Sequence, residues 1–161
     1  MSNSNRKSEN TLERRDVLKL LGLGTVAAAT GSIVSSDALA TPDSAAKLIS
    51  KLSGTSSYKS GKITLKMPEI AENGATVPLT VRVDSPMSAG NYVKSIHLAA
   101  EKNPNPEVAS FHLTPASGKA EISTRMRLGK TQNVIAVAVM SDGSVHRVSR
   151  LVKVTIGGCG G

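Results

Sequence analysis

The chain has 161 residues, one cysteine, no tryptophan, two tyrosines, one phenylalanine and a formal charge of +8. One thiol excludes an internal disulfide framework and leaves a zinc site without its usual ligands. So few aromatic rings, with no basic run, argue against nucleic-acid binding by base stacking, and the positive balance points to anionic partners or cargo.

Residues 1–40 read as an export signal. Arg14-Arg15 precede Asp16-Val17-Leu18-Lys19. A mildly apolar run then extends from Leu20 to Val34, interrupted by Gly22, Gly24 and Gly31. Ala38-Leu39-Ala40 is a small-x-small cleavage site, so Ala38 and Ala40 mark the expected processing point. Paired arginines before a weakly hydrophobic, glycine-containing stretch resemble a twin-arginine signal, which implies export to the periplasm. Lys19 and the glycines make the run too polar and too short for a membrane anchor, so no stable membrane insertion is expected. Cleavage after Ala40 leaves 121 residues, suited to one domain, with 15 basic and 8 acidic side chains.

Residues 41–60 form a lead-in, with a short helix in which Asp43 caps a stripe of Ala45, Ala46, Leu48, Ile49 and Leu52. Ser53 to Gly61 is Ser/Gly-rich and reads as a linker. From residue 61 to 156 the period becomes two. Ile63 and Leu65 alternate with lysines and threonine, and Val77, Leu79, Val81 and Val83 alternate with Thr76, Pro78, Thr80 and Arg82. Tyr92–Ala100 and Val108–Leu113 are further strands. Ala120, Ile122, Met126 and Leu128 mark another. Val134–Met140 is apolar on both parities, as a central strand requires. Val145–Ile156 is a long last strand, with Val148, Val152, Val154 and Ile156 expected on the core face. Glu72-Asn73-Gly74, Ser85-Pro86, Asn103-Pro104-Asn105-Pro106, Ser117-Gly118 and Asp142-Gly143 supply the turns. Pro78 lacks an N–H and predicts an edge or bulged strand. Val145 and Leu151 are the apolar positions expected to face outward toward a partner. Seven strands of this kind predict an all-β, immunoglobulin-like β-sandwich.

The chain closes on Gly157-Gly158-Cys159-Gly160-Gly161. Glycine leaves the backbone free in φ and ψ and gives nothing to pack, so residues 157–161 are expected to form a thin swinging arm. Three residues carry Cys159 up to roughly 10 Å past Ile156. No neighbouring His or Lys lowers the thiol from its ordinary pKa near ~8.5, so the sequence presents the thiol without activating it. His97, His112 and His146 fall in three separate strands, and Met67, Met87, Met126 and Met140 show no tight spacing with them. Neither a catalytic set nor a metal set is therefore expected: the catalytic, metal and cofactor expectations are all none.

The C-terminal Gly-Gly-Cys-Gly-Gly resembles the arm of the SoxY family, the cargo-bearing subunits of bacterial thiosulfate oxidation. Pro68-Glu69-Ile70-Ala71-Glu72-Asn73-Gly74, Val77-Pro78, Ser85-Pro86-Met87, Lys102-Asn103-Pro104 and Thr124-Arg125-Met126-Arg127-Leu128 are similar to the family's signatures. The resemblance implies a periplasmic sulfur carrier rather than an enzyme. Cys159 would hold thiosulfate-derived intermediates, an S-thiosulfonate and then a persulfide. The implied partners are a SoxZ-like subunit in a heterodimer, a haem-containing thiosulfate-coupling enzyme, a sulfate-releasing hydrolase and, in some organisms, a sulfane dehydrogenase. Two other readings remain open at this point. One is an interaction protein that forms an intermolecular disulfide through Cys159; the other is a metal-binding module.

Overall fold

The structure, a computed structural model, describes residues 41–156. The export-signal positions Arg14, Arg15, Ala38 and Ala40 and the terminal Gly157, Gly158, Cys159, Gly160 and Gly161 lie outside the described residues.

One helix precedes eight strands. Helix α1 covers Pro42–Ser53. The strands are β1 (Ile63–Lys66), β2 (Ile70–Asn73), β3 (Val77–Val83), β4 (Val93–Ala100), β5 (Glu107–His112), β6 (Glu121–Met126), β7 (Gln132–Met140) and β8 (Val145–Ile156). They form a three-stranded sheet, β1-β3-β6, facing a five-stranded sheet, β2-β8-β7-β4-β5. The expected β-sandwich is present, with one strand more than the alternation revealed.

The extra strand is β2. Its residues had the appearance of a turn approach, and Ala71 is the one buried side chain among its four positions. Two alternating positions are too few to register as a period. The strand exists because β8 runs beside it in parallel, pairing Ile70 with Lys153, Ala71 with Val154 and Asn73 with Ile156. The turn begins only at Asn73, whose Oδ1 accepts the Ala75 N–H at 2.8 Å.

The main core lies between the sheets, where Leu79, Val81, Ile96, Leu98, Leu128, Val134 and Val152 are buried. A second cluster sits on the outer face of the larger sheet: Ile49 of α1 covers Ala99, Ile135, Val137 and Val145. This explains why β7 is apolar on both parities. Val134, Ala136, Ala138 and Met140 enter the sandwich, while Ile135 and Val137 lie under the helix. Val145, expected to face outward, is buried there as well. Leu151 does face solvent.

The helix is started by Thr41 rather than Asp43. Thr41 Oγ1 accepts the Ser44 N–H at 3.2 Å, and Ser44 Oγ accepts the Thr41 N–H at 2.8 Å. This reciprocal arrangement satisfies donors that a helix start leaves free. Gly54 ends the helix with φ 73°, a left-handed conformation that glycine adopts without a Cβ clash. The segment after it is not a free linker. Lys59 donates its N–H to the Val145 carbonyl at 2.8 Å and accepts from Arg147 N at 3.1 Å. The Arg147 guanidinium lies 5.5 Å above the Tyr58 ring.

Pro78 lies in the middle strand of the smaller sheet, not in an edge strand. The β1 pairing stops at Lys66 opposite Thr80, so Pro78 has a neighbour only in β6, opposite Arg125. The missing donor is tolerated because β1 has already ended.

Candidate functional site at the root of the C-terminal segment

Strand β8 carries the chain to its C-terminal segment, and its last residues have a distinctive support. The β7 pairing ends at Gln132 opposite Val152. Beyond that level β8 continues against β2 alone. Lys153 N donates to the Glu69 carbonyl at 2.8 Å, and Gly74 N donates to the Ile156 carbonyl at 2.8 Å. On the side that β7 has vacated, Thr131 Oγ1 accepts the Val154 N–H at 2.9 Å. A side-chain hydroxyl thus stands where a strand carbonyl would be.

The loops around this root are joined to one another. Leu128 N donates to the Gly74 carbonyl at 2.8 Å, linking the β6–β7 connection to the turn that holds Ile156. Asn103 Nδ2 donates to the Arg127 carbonyl at 2.8 Å, and Asn103 Oδ1 accepts from Gly129 N at 3.1 Å and from Gln132 Nε2 at 2.9 Å. Gln132, a buried polar residue, accepts the Lys102 N–H on Oε1 at 2.7 Å. Each of these groups finds a partner, so the pole of the sandwich around Ile156 is a set of fixed loops. The exposed side chains Lys102, Arg127 and Lys130 stand on them.

Ile156 itself is 67% exposed, contrary to its expected place in the core. It shares the parity of Val152 and Val154, but the sandwich has already ended at its level. The core face has run out there, and the last described residue stands in solvent.

The three histidines lie elsewhere. His97 on β4 is opposite Val137 of β7, which is opposite Arg147 of β8. Nine residues of strand separate Arg147 from Ile156, about 30 Å at about 3.3 Å per residue. His146 lies on β8 one residue further away, and His112 is opposite Ser95, further again. Three extended residues reach roughly 10 Å, so no described histidine comes within reach of Cys159.

The structure does bring two of the histidines together, which their sequence separation gave no sign of. The rings of His97 and His112 meet edge to face with centroids 6.2 Å apart. His97 is buried, with Nε2 2.9 Å from Ser95 Oγ and Nδ1 2.8 Å from Ser110 Oγ. Ser110 in turn donates to Glu107 at 3.2 Å. Burial holds the His97 imidazole below its ordinary pKa; the neighbouring His112 adds to this, and Glu107 opposes it. The β4–β5 register, which period-two patterning does not encode, creates this pair. His146 is buried, and its Nδ1 has no hydrogen-bond partner among the described residues. No group of three or more His, Cys, Asp or Glu side chains is placed to hold a metal ion among the described residues. No described helix is long and apolar enough to cross a membrane.

Comparison with known proteins agrees with this architecture. Residues 49–159 match the family model for "Sulfur oxidation protein SoxY". The sulfur carrier protein SoxY from Chlorobium limicola f thiosulfatophilum is 40% identical, with a TM-score of 0.58, covering 68% of this chain and 94% of that one. Superoxide reductase (neelaredoxin) from Ignicoccus hospitalis is 18% identical, with a TM-score of 0.53, covering 72% of this chain and 94% of that one. The superoxide reductase from Nanoarchaeum equitans is 10% identical, with a TM-score of 0.51, covering 60% of this chain and 100% of that one. At such identities these two share the fold alone. No curated protein sequence matches the chain. The family match extends over the sandwich, the fixed pole and the terminal cysteine, and on it the chain belongs to the SoxY family.

Proposed function

We propose that this protein is a periplasmic sulfur carrier that holds thiosulfate-derived intermediates covalently on Cys159 and leaves the chemistry to partner enzymes. The observation that carries the reading is the combination of a fixed β root at Ile156 with a family match that continues through Cys159. A thiol some 10 Å or less from the root, with every described histidine about 30 Å or more away, has no imidazole base of its own. Nucleophilic catalysis needs an adjacent base or a lowered pKa, so activation must come from outside the chain. A slender glycine-flanked thiol suits a narrow enzyme cleft, and ordering each residue there costs about 1–2 kcal/mol, which keeps each visit reversible.

In this cycle a haem-containing partner removes two electrons as thiosulfate joins the thiol, giving an S-thiosulfonate and releasing the thiol proton. A hydrolase then releases sulfate and leaves a persulfide, which a sulfane dehydrogenase oxidises where one is present. A SoxZ-like subunit forms the heterodimer. Arg14-Arg15 direct export by the twin-arginine route, and Ala38-Leu39-Ala40 is the processing site.

The test is Cys159→Ser in a reconstituted system. The variant is expected to keep its fold and its partner subunit and to lose thiosulfate-dependent electron flow. Undiminished electron flow would contradict the carrier role. Recovery of a disulfide-linked dimer from thiosulfate-grown cells, with no sulfur adduct, would favour a purely structural cysteine.

A further inference from the structure

The two sheets are covered differently. Helix α1 packs on the outer face of the larger sheet, whereas no described element packs on the outer face of the smaller one. On β3, Val77, Leu79, Val81 and Val83 turn into the core, so Pro78, Thr80 and Arg82 turn outward. The outward positions of β1 are Thr64 and Lys66, and those of β6 are Glu121, Ser123 and Arg125. The strand register sets them side by side. Arg82 stands between Thr64 and Glu121, Thr80 stands between Lys66 and Ser123, and Pro78 stands beside Arg125. The Thr80 and Ser123 hydroxyl oxygens are 3.0 Å apart. Lys66 is thus a diagonal neighbour of Arg82, about 7–8 Å away, and Arg125 lies about 14 Å from Arg82 along the sheet. At one end the face is bordered by Lys62, Asp84 and Lys119, and the charge of Lys62 reaches Asp142. At the other end Arg127 continues the outward side of β6. Six cations therefore meet three acids, Asp84, Glu121 and Asp142. None of the six is in an ion pair among the described residues; the pair that does form, Arg150 with Glu69, belongs to the larger sheet.

We infer that this face, centred on Lys66, Arg82 and Arg125, docks an acidic surface of the enzyme that loads the carrier. The inference deepens the carrier reading and rests on it for the partner's role. The occupant follows from the chemistry of the face. Cations spread over about 14 Å of flat sheet make a broad positive field rather than a cradle for one small anion. Carboxylates on a facing protein would meet both the charges and the hydroxyls of Thr64, Thr80 and Ser123. The face has no large apolar side chain to enter a lipid surface, because Ile70, Leu151 and Ile156, the large apolar residues that are exposed, all lie on the larger sheet. Nor has it an aromatic ring on which a nucleic-acid base could stack. Its position suits a loading partner. Strand β3 follows the turn at Gly74, whose N–H donates to the Ile156 carbonyl, so the face begins at the pole where β8 ends. Exposed charges of this kind act chiefly on encounter: they raise the association rate, and salt screens them.

The test measures the association rate constant of the full protein with the haem-containing coupling enzyme by stopped flow, at low and high salt. Removing the central charges (Lys66→Gln, Arg82→Gln, Arg125→Gln) is expected to slow association about tenfold at low salt. At about 0.5 M salt the variant and the parent should agree within about twofold. A control removes three cations from the other side of the sandwich, Lys47 and Lys51 on α1 and Lys59 beside β8 (Lys47→Gln, Lys51→Gln, Lys59→Gln). It changes the net charge equally, so its association should slow by less than about twofold at low salt if the local face decides the encounter. An unchanged rate in the face variant would overturn the inference. So would a loss matched by the control, or one that persists undiminished at high salt. Vesicles containing phosphatidylserine provide a further check: binding to them that is lost in the face variant, with enzyme association intact, would assign the face to a membrane and overturn the inference. Failure of the carrier reading looks different. The salt-sensitive association would stand while thiosulfate and the enzyme left no adduct on Cys159.

Discussion

Cys159 is read as an attachment point, whereas His97 is a buried group whose ionisation the fold suppresses. Its two ring nitrogens are engaged by Ser95 and Ser110, and burial favours the neutral ring. The unfolded chain takes up this proton near pH ~6.5, and the folded chain only at lower pH. Between those values the unfolded state binds more protons, so stability rises with pH. The contribution of His97 is therefore complete above about pH 6.5 and is lost as the pH falls through that value toward the lower folded one. Thermal unfolding from pH 7.5 to 5 is expected to show a falling Tm, with a shallower fall in His97→Gln. Parallel curves would show that other groups govern the acid sensitivity.

At the scale of elements, two supports have separable costs. Ile49 is the residue by which α1 closes the outer face of the larger sheet. Ile49→Ala should destabilise by about 2–4 kcal/mol, because truncating a buried isoleucine loses transfer energy and leaves a cavity. Denaturant titration measures this; a change below about 0.5 kcal/mol would mean that the helix does not seal the cluster. Thr131 supports the end of β8 through one hydroxyl. Thr131→Val should cost about 1 kcal/mol and leave the Val154 N–H unpaired. Amide exchange at Val154 should quicken while exchange at Val134 and Ala136 stays slow. Equal protection in the variant would show that the hydroxyl does not restrain β8. The same elements show what the sequence carries. Val77, Leu79, Val81 and Val83 announce β3 by alternation alone. The doubly apolar β7 announces burial on both faces but does not say that α1 supplies the second cover. β2 stays hidden because its pairing with residues 153–156 is long-range and only Ala71 is buried.

At the scale of the whole molecule, residues 41–156 form a two-sheet body whose last strand leads toward the terminal cysteine in the sequence. The body's two cores bury most of the aliphatic positions that the period-two pattern selected and partly bury Ile122, Val148 and Val154; Ile156 is the one of them that is exposed. The cysteine was legible at once because its setting is local: glycines on both sides, and no second thiol. The fixed pole around Ile156 was not, because its loops are joined only through the long-range side-chain bonds of Asn103 and Gln132 to the backbone of Lys102, Arg127 and Lys130. Exposed apolar side chains Ile70 (59%) and Leu151 (52%) lie on the β2–β8 side of the larger sheet, beyond the cover of α1. Loading of Cys159 itself is read out by mass spectrometry of the C-terminal peptide. After exposure to thiosulfate and the haem-containing coupling partner, the peptide is expected to gain one thiosulfate group on Cys159, removable by a thiol reductant. A peptide that keeps its free thiol under these conditions, with the partner active on another carrier, would contradict it.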